Sequence, residues 1–344
     1  MHATAVWQAS IASFVVFVFL ASGSLVRQAS AQQDGFGRSV SMNIAKPIDR
    51  ISNFFSLNRP LDLANQALGR EEQEPGVLFP PTTLPPPSLG STTTTLPPRV
   101  ISPESPMRVQ VFGDSQAINV GTVMQKHAAD DPLIDVEYDA QVSTGLARPD
   151  YYNWPARVQE TLDEREADVV VLNYGANDDQ SLMDPGGNVV AHFGSPEWDT
   201  EYRRRIAGMM DLLREDQRRI VWLGSPQVRP ASLSQTLAKS NAWALEEAKI
   251  RPWVDYVDSW DRLSGPSGEY VDYYTPEGQG AIRCRRSDGV HLTLDCLDIV
   301  VSEVFDAIRP MFSIAPPTTT APPTTALPTT ALPTIVAPTS AAAG

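Results

Sequence analysis

Three short strings hold the side chains that could do chemistry: Gly113-Asp114-Ser115, Gly175-Ala176-Asn177-Asp178 and Asp288-Gly289-Val290-His291. Together they contain a hydroxyl nucleophile, an amide donor and a carboxylate close to an imidazole. Acyl transfer through a serine needs this set, because a hydroxyl is a poor nucleophile until a base within hydrogen-bond reach takes its proton, and a carboxylate must hold that base in the right tautomer. Each string alone says little. A Gly-Asp-Ser tripeptide arises by chance in roughly one chain in ten of this size.

The base follows almost by elimination among four histidines. His2 lies in the N-terminal targeting segment, His127 on a predicted helix, and His192 in a loop with no acidic residue spaced to orient it. His291 has Asp288 three residues upstream and Gly289 to ease the turn, so the carboxylate can reach Nδ1 while Nε2 faces Ser115. Donors for a tetrahedral oxyanion are available from the Asn177 side chain and from the backbone N–H of Gly145 in Ser143-Thr144-Gly145. Plainer readings exist for each piece: a helix cap for Asp114-Ser115, an exposed turn for Asp288 and His291, an Asx turn or cap for Asn177, a turn glycine at 145. None of them explains the conjunction.

The elements that must position these residues can be read around them. Arg108 to Phe112 and Asp168 to Asn173 are short Val-rich runs, the pattern of buried parallel strands, so Ser115 and Asn177 follow strand ends. Open α/β sheets bind ligands at that edge. Further strands are predicted at 134–138, 219–224 and 254–257, with helices near 118–129, 155–166, 201–217 and 233–248. A closing helix carries Leu297, Val301, Val304, Phe305 and Ile308 on one face. The alternation implies an α/β domain with a parallel central sheet.

Of 344 residues, 30 are proline, concentrated in Thr/Pro tracts at Pro80–Pro98 and Pro316–Pro338 that cannot build a core. The expected organisation is an N-terminal signal peptide or signal anchor over 1–31, a short helical juxtamembrane segment over 32–75, a Pro/Thr-rich linker over 76–106, the catalytic domain over 107–312, and a Pro/Thr/Ala-rich disordered tail over 313–344. Residues 10–26 are apolar and Ala29-Ser30-Ala31 fits cleavage, which implies export and an extracytoplasmic location, secreted or held at the membrane. Cleavage is slightly favoured over retention as an anchor, and 10–26 is the segment capable of membrane association. Within 38–70, Ile48, Ile51 and Phe55, then Leu61, Leu63 and Leu68, suggest two short helices along the membrane surface, packed on the domain, or in a partly ordered stalk.

A net charge of −14 leaves no basic face for a nucleic-acid partner. Cys284 and Cys296 bracket Asp288 and His291 and, outside the cytoplasm, would form a disulfide holding that loop; two buried thiols are the alternative. No His-Glu-x-x-His string or clustered His/Cys ligands suggest a metal, and the chemistry needs no cofactor.

The order Gly-Asp-Ser, a loop Gly, Gly-x-Asn-Asp and Asp-x-x-His resembles the SGNH/GDSL hydrolase superfamily. That resemblance implies a three-layer α/β/α, flavodoxin-like domain, with Ser115 as nucleophile, Gly145 and Asn177 as oxyanion donors, and Asp288 and His291 as the acid/base pair. Residues 143–150, 221–226 and 286–293 look like an uncharacterised, domain-of-unknown-function branch of bacterial cell-envelope SGNH proteins. One departure is Leu294-Asp295-Cys296 after His291, where the superfamily usually has a small residue. A bond from Cys296 to Cys284 could replace that packing.

The resemblance further implies an extracytoplasmic serine esterase or O-acyltransferase, often an acetyl one, acting on cell-envelope polysaccharide or peptidoglycan through an acyl-Ser115. Alternatives are a lipase or lysophospholipase acting on small esters, and a catalytically idle cell-wall binding module. Tyr151, Tyr152, Trp154, Tyr270, Tyr273 and Tyr274 are expected to stack on sugar rings, and Arg148, Arg283, Arg285 and Arg286 to meet anionic groups.

Overall fold

The computed structural model describes residues 13–22, 25–26, 29, 36–54, 79, 99–215 and 218–315. The second short helix expected around Leu61–Leu68 and both Thr/Pro tracts lie outside the described residues.

Along the chain the elements are α1 (Phe36–Phe54), β1 (Val100–Ile101), β2 (Met107–Gly113), α2 (Ser115–Ala129), β3 (Ile134–Ala140), α3 (Trp154–Glu164), β4 (Val169–Asn173), β5 (Leu182–Met183), β6 (Val189–Ala191), α4 (Pro196–Leu212), β7 (Arg219–Leu223), α5 (Ala231–Lys249), β8 (Val254–Val257), β9 (Tyr273–Tyr274), β10 (Ile282–Arg283), α6 (Leu294–Ile308) and β11 (Ser313–Ile314).

The Val-rich runs pair as expected. β3, β2, β4, β7 and β8 form a five-stranded sheet in that order, parallel at every pairing, with Val109 opposite both Val136 and Val169. Every residue of β4 is buried, because helices cover both faces. On one face α2 and α6 pack Val120, Met124, Val301 and Phe305 against Val109, Val111 and Val171. On the other, α3, α4 and α5 pack Trp154, Ile206, Met210 and Ala244 against Phe112, Val170, Leu172 and Trp222. Successive strand residues alternate between these two cores, which makes the three-layer α/β/α fold.

Element ends differ from the sequence reading where caps outrank apolar spacing. α4 begins at Pro196, five residues before the predicted start, because Ser195 accepts from the Trp198 N–H and Pro196 sits in the first turn. α2 begins at Ser115 itself. Small elements with little periodicity went unread: the hairpins β5–β6 and β9–β10, and the parallel pair β1–β11, which joins the two ends of the domain. Phe79, in the segment read as linker, is buried in the core with Trp154 and Trp198, under the guanidinium of Arg205.

Before the domain, residues 13–22 pack antiparallel to α1. Ser22 Oγ donates to Asp49 Oδ1 at 2.9 Å and Ser52 Oγ to the carbonyl of Phe19 at 2.7 Å. Among the described residues no helix is long and apolar enough to cross a membrane.

Candidate active site

In sheet order the strand sequence reverses between β2 and β4, the position where doubly wound sheets open a crevice at their carboxyl edge. Ser115 follows β2 and Asn177 follows β4. Asp114 fixes the first of these turns: its Oδ1 accepts the Gln116 N–H at 2.9 Å, capping α2, and its Oδ2 accepts the Ala176 N–H at 3.0 Å. Ser115 therefore stands as the first helical residue, half-buried, on a turn tied to the Asn177 loop.

Ser115 Oγ lies 2.8 Å from His291 Nε2, and His291 Nδ1 lies 2.9 Å from Asp288 Oδ2. Asp288 Oδ1 also accepts the N–H groups of Val290 at 2.7 Å and His291 at 3.0 Å, so one carboxylate folds its own turn and orients the ring. Burial pulls the Asp288 carboxyl upward, but these backbone donors and the His291 ring outweigh it and hold the group down at about 2. The loop is braced on every side. Cys284 and Cys296 form a disulfide across its base. Arg286 Nη2 donates to Asn119 Oδ1 on α2 at 3.1 Å. Arg229 donates its backbone N–H to Gly289 O and its Nη1 to Ser287 O, both at 2.9 Å, while its Nη2 reaches Asp272 at 2.7 Å. Gly289 needs its φ of 73° for this turn, and a Cβ there would run into the Arg229 side chain.

The Gly145 loop is held from two directions. Asp178 accepts the Leu146 N–H at 3.0 Å, the Ala147 N–H at 2.8 Å and the Tyr202 hydroxyl at 2.6 Å. Arg205, buried on α4, donates to the carbonyls of Leu146 at 2.7 Å and Ala147 at 3.1 Å. Asn177 Nδ2 donates to Thr144 O at 3.0 Å, which sets the Asn177 amide against the peptide unit that carries the Gly145 N–H. Two residues earlier, Ser143 adopts φ 58°, a costly conformation for a residue with a side chain. Asp114 and Asp178 thus lace three loops together, each holding the backbone of a neighbour. Burial pushes both carboxyls above the usual range, Asp114 to about 7, and their mutual repulsion adds to the rise of Asp114.

Ser115, His291 and Asp288 are joined by direct hydrogen bonds, while Asn177 and Gly145 connect to them through the Asp114–Ala176 and Asn177–Thr144 bonds of the neighbouring loops. The second group of expectations fares differently. Trp154 is fully buried, donates from its indole to Thr144 Oγ1 at 3.1 Å and packs against Tyr174, so it supports the Gly145 loop and is not placed to stack on a ligand. Arg148 is buried against Asp150, and Arg285 is buried with its Nη2 on Gln227 O, so neither presents a cation to solvent. Arg283 and Arg286 are exposed, Tyr273 is exposed, and Tyr151 and Tyr152 are half-buried. Sequence reasoning missed Tyr202, Arg205 and Arg229 as supports. Asp178 lay in a quoted motif, but a buried carboxylate holding backbone N–H groups has no signal beyond its type. Among the described residues no three His, Cys, Asp or Glu side chains gather as a metal site.

The family model described as "Protein of unknown function (DUF459)" matches residues 108–307. No curated protein matches the chain in sequence. Similar solved structures include a GDSL-like lipase from Bacteroides thetaiotaomicron, 16% identical, with 59% of this chain and 88% of that one covered and a TM-score of 0.43. The C-terminal catalytic domain of the Streptococcus pneumoniae peptidoglycan O-acetyltransferase A is 14% identical, with 60% and 94% covered and a TM-score of 0.39. A psychrotrophic esterase from Pseudoalteromonas sp. is 12% identical, with 59% and 97% covered and a TM-score of 0.38.

Proposed function

Since the chain belongs to the DUF459 family, whose description names no activity, the function has to come from the site, and we propose an extracytoplasmic serine esterase or O-acyltransferase acting on acyl esters of cell-envelope glycan. One observation carries the reading: Ser115 Oγ is 2.8 Å from His291 Nε2, and Asp288 Oδ2 is 2.9 Å from the other ring nitrogen. A serine that only capped a helix would have no reason to meet an imidazole oriented by its own carboxylate.

In this mechanism Ser115 gives its proton to His291 Nε2 as Oγ attacks the ester carbonyl. Negative charge on the carbonyl oxygen is met by the Asn177 amide and the Gly145 N–H, in a loop already rigid before substrate arrives, so no reorganisation is needed at the moment of reaction. Collapse of the tetrahedral species breaks the bond to the alkoxide, which takes the proton from His291. The acyl group stays on Ser115 until water or a sugar hydroxyl, deprotonated by the same imidazole, displaces it. Asp288, held at about 2, remains ionised throughout the neutral range and stabilises the imidazolium formed in each half-reaction. The buried Cys284–Cys296 disulfide supports an oxidising compartment. The exposed Tyr273, Arg283 and Arg286 near the His291 loop support a carbohydrate partner with anionic groups.

The test is hydrolysis of aryl acetate by the full chain and by Ser115→Ala, with fold matched by circular dichroism. The reading expects turnover lost only in the variant, and falling as the acyl chain lengthens beyond acetyl. Equal turnover in both proteins rules out the Ser115 assignment, and a rise with long acyl chains points to a lipase.

A further inference from the structure

We propose that residues 13–22 and α1 form a helical hairpin that lies in the surface of an anionic lipid bilayer, with Val40, Ile44 and Ile51 dipping into the acyl region. This inference does not use the catalytic site; it takes residues 13–22 as retained on the chain, the alternative to cleavage after Ala29-Ser30-Ala31, and concerns what the chain docks on.

The hairpin leaves an unusual share of its large apolar side chains open for a protein in water. Its seam is made of small and hydroxyl residues: Ala21, Ser22, Ala45 and Ser52 are buried, with Ser22 bonded to Asp49 and Ser52 to the Phe19 carbonyl. Several large apolar side chains point outward, Phe14 at 68%, Phe17 at 63% and Ile44 at 59% exposure, while Val18, Phe19, Leu20 and Ile48 are half-buried. A soluble helix pair buries its large residues and exposes its small ones. Small residues and hydroxyl hydrogen bonds at the seam are what holds helices together where the surroundings are as apolar as the side chains.

The outward residues of α1 form one stripe. Val40, Ile44 and Ile51 are spaced i, i+4 and i+11, on the same side of the helix, with the exposed Pro47 between them. Lys46 and Arg50 are exposed about a third of a turn round the helix from the stripe, both on the same side. An apolar stripe with basic residues further round the same helix, on a helix too polar to cross the bilayer, is the layout of a helix that lies in the interface. Charge selects the kind of lipid. The first 60 residues hold five basic and two acidic side chains, whereas the whole chain holds 27 and 41. The basic hairpin is drawn to an anionic surface that repels the acidic remainder.

The experiment is flotation of the full chain with vesicles of phosphatidylcholine and phosphatidylglycerol at 3:1, and with phosphatidylcholine alone. The expected result is co-flotation that favours the anionic vesicles. Val40→Glu/Ile44→Glu/Ile51→Glu should lower the bound fraction by about tenfold or more. Lys46→Glu/Arg50→Glu should abolish the preference for the anionic lipid. Because the stripe is exposed in the hairpin, an unchanged circular dichroism spectrum and urea midpoint in the first variant show that the domain has folded. Flotation of that variant equal to the wild type overturns the proposal. A second reading places the residue directly: Ile44→Cys bearing an environment-sensitive dye should shift to the blue with anionic vesicles. No shift with vesicles, or a shift in lipid-free protein that sediments as a dimer, also overturns it, the latter in favour of a second copy as the partner.

Discussion

Asp178 occupies the space that a side chain at position 145 would need, since a Cβ there would overlap the Asp178 carboxylate. The carboxylate cannot yield easily. It is buried and holds the N–H groups of Leu146 and Ala147 and the hydroxyl of Tyr202. Gly145→Ala should therefore push the loop out of place and lower kcat by about a hundredfold, the size of effect expected when an oxyanion donor is lost. KM should change much less. Steady-state kinetics on an aryl acetate would check this, and a variant with wild-type kcat would show that the Gly145 N–H does not touch the reacting oxygen.

Arg229 grips the acid/base loop from outside through Gly289 O, Ser287 O and the Asp272 carboxylate. Its main-chain bond survives substitution, so Arg229→Ala should leave the fold intact and loosen only the turn. We expect kcat to fall about tenfold, the range for misplacing a catalytic group by a fraction of its working tolerance. Arg229→Lys should restore little, because one ammonium cannot reproduce the forked contact. The pair is read by the split between kcat and KM; a change in KM alone would make Arg229 a substrate contact.

Burial holds the Asp114 carboxyl at about 7, against 3.8 for the free side chain. Between these values the folded protein keeps a proton that the unfolded chain has released. The contribution of Asp114 to stability is therefore complete below pH 3.8 and is lost as pH rises toward 7. Urea midpoints of the wild type and Asp114→Asn, measured at pH 5 and pH 8, should converge or cross as pH rises, with a change in their difference on the order of 2 kcal/mol. A pH-independent difference would contradict this origin.

Cys284 and Cys296 are both fully buried and are 12 residues apart. Cys284→Ala/Cys296→Ala should cost about 2 to 3 kcal/mol of stability through loop entropy. It should also lower kcat, because the cross-link closes the loop that carries Asp288 and His291. Native enzyme should resist a thiol reductant that inactivates it after unfolding and refolding in the same buffer. Rapid inactivation of the native form would mean that the loop opens freely.

What could be read from the sequence had a local signature. β4 announced itself as an unbroken apolar run, and Asp288, Gly289 and His291 as a turn that binds its own imidazole. The seam of the Gly145 loop could not be read, because Arg205 is one of three consecutive arginines on α4 and only packing selects the one that turns inward. Trp154 was misread for a related reason: an aromatic residue in a loop near a site looks the same whether its indole faces a sugar or Thr144. Phe79 shows the limit of composition, since a Pro/Thr-rich neighbourhood does not prevent one aromatic side chain from entering the core.

The most direct test of the account is covalent. The full chain would be treated with an alkyl fluorophosphonate, digested and mapped by mass spectrometry, beside His291→Ala. The prediction is a single phosphonyl adduct, on Ser115, that forms at least about a hundredfold more slowly when the imidazole is removed. An active protein that carries no adduct on Ser115, or one labelled equally fast without His291, would contradict the assignment of Ser115 as the nucleophile.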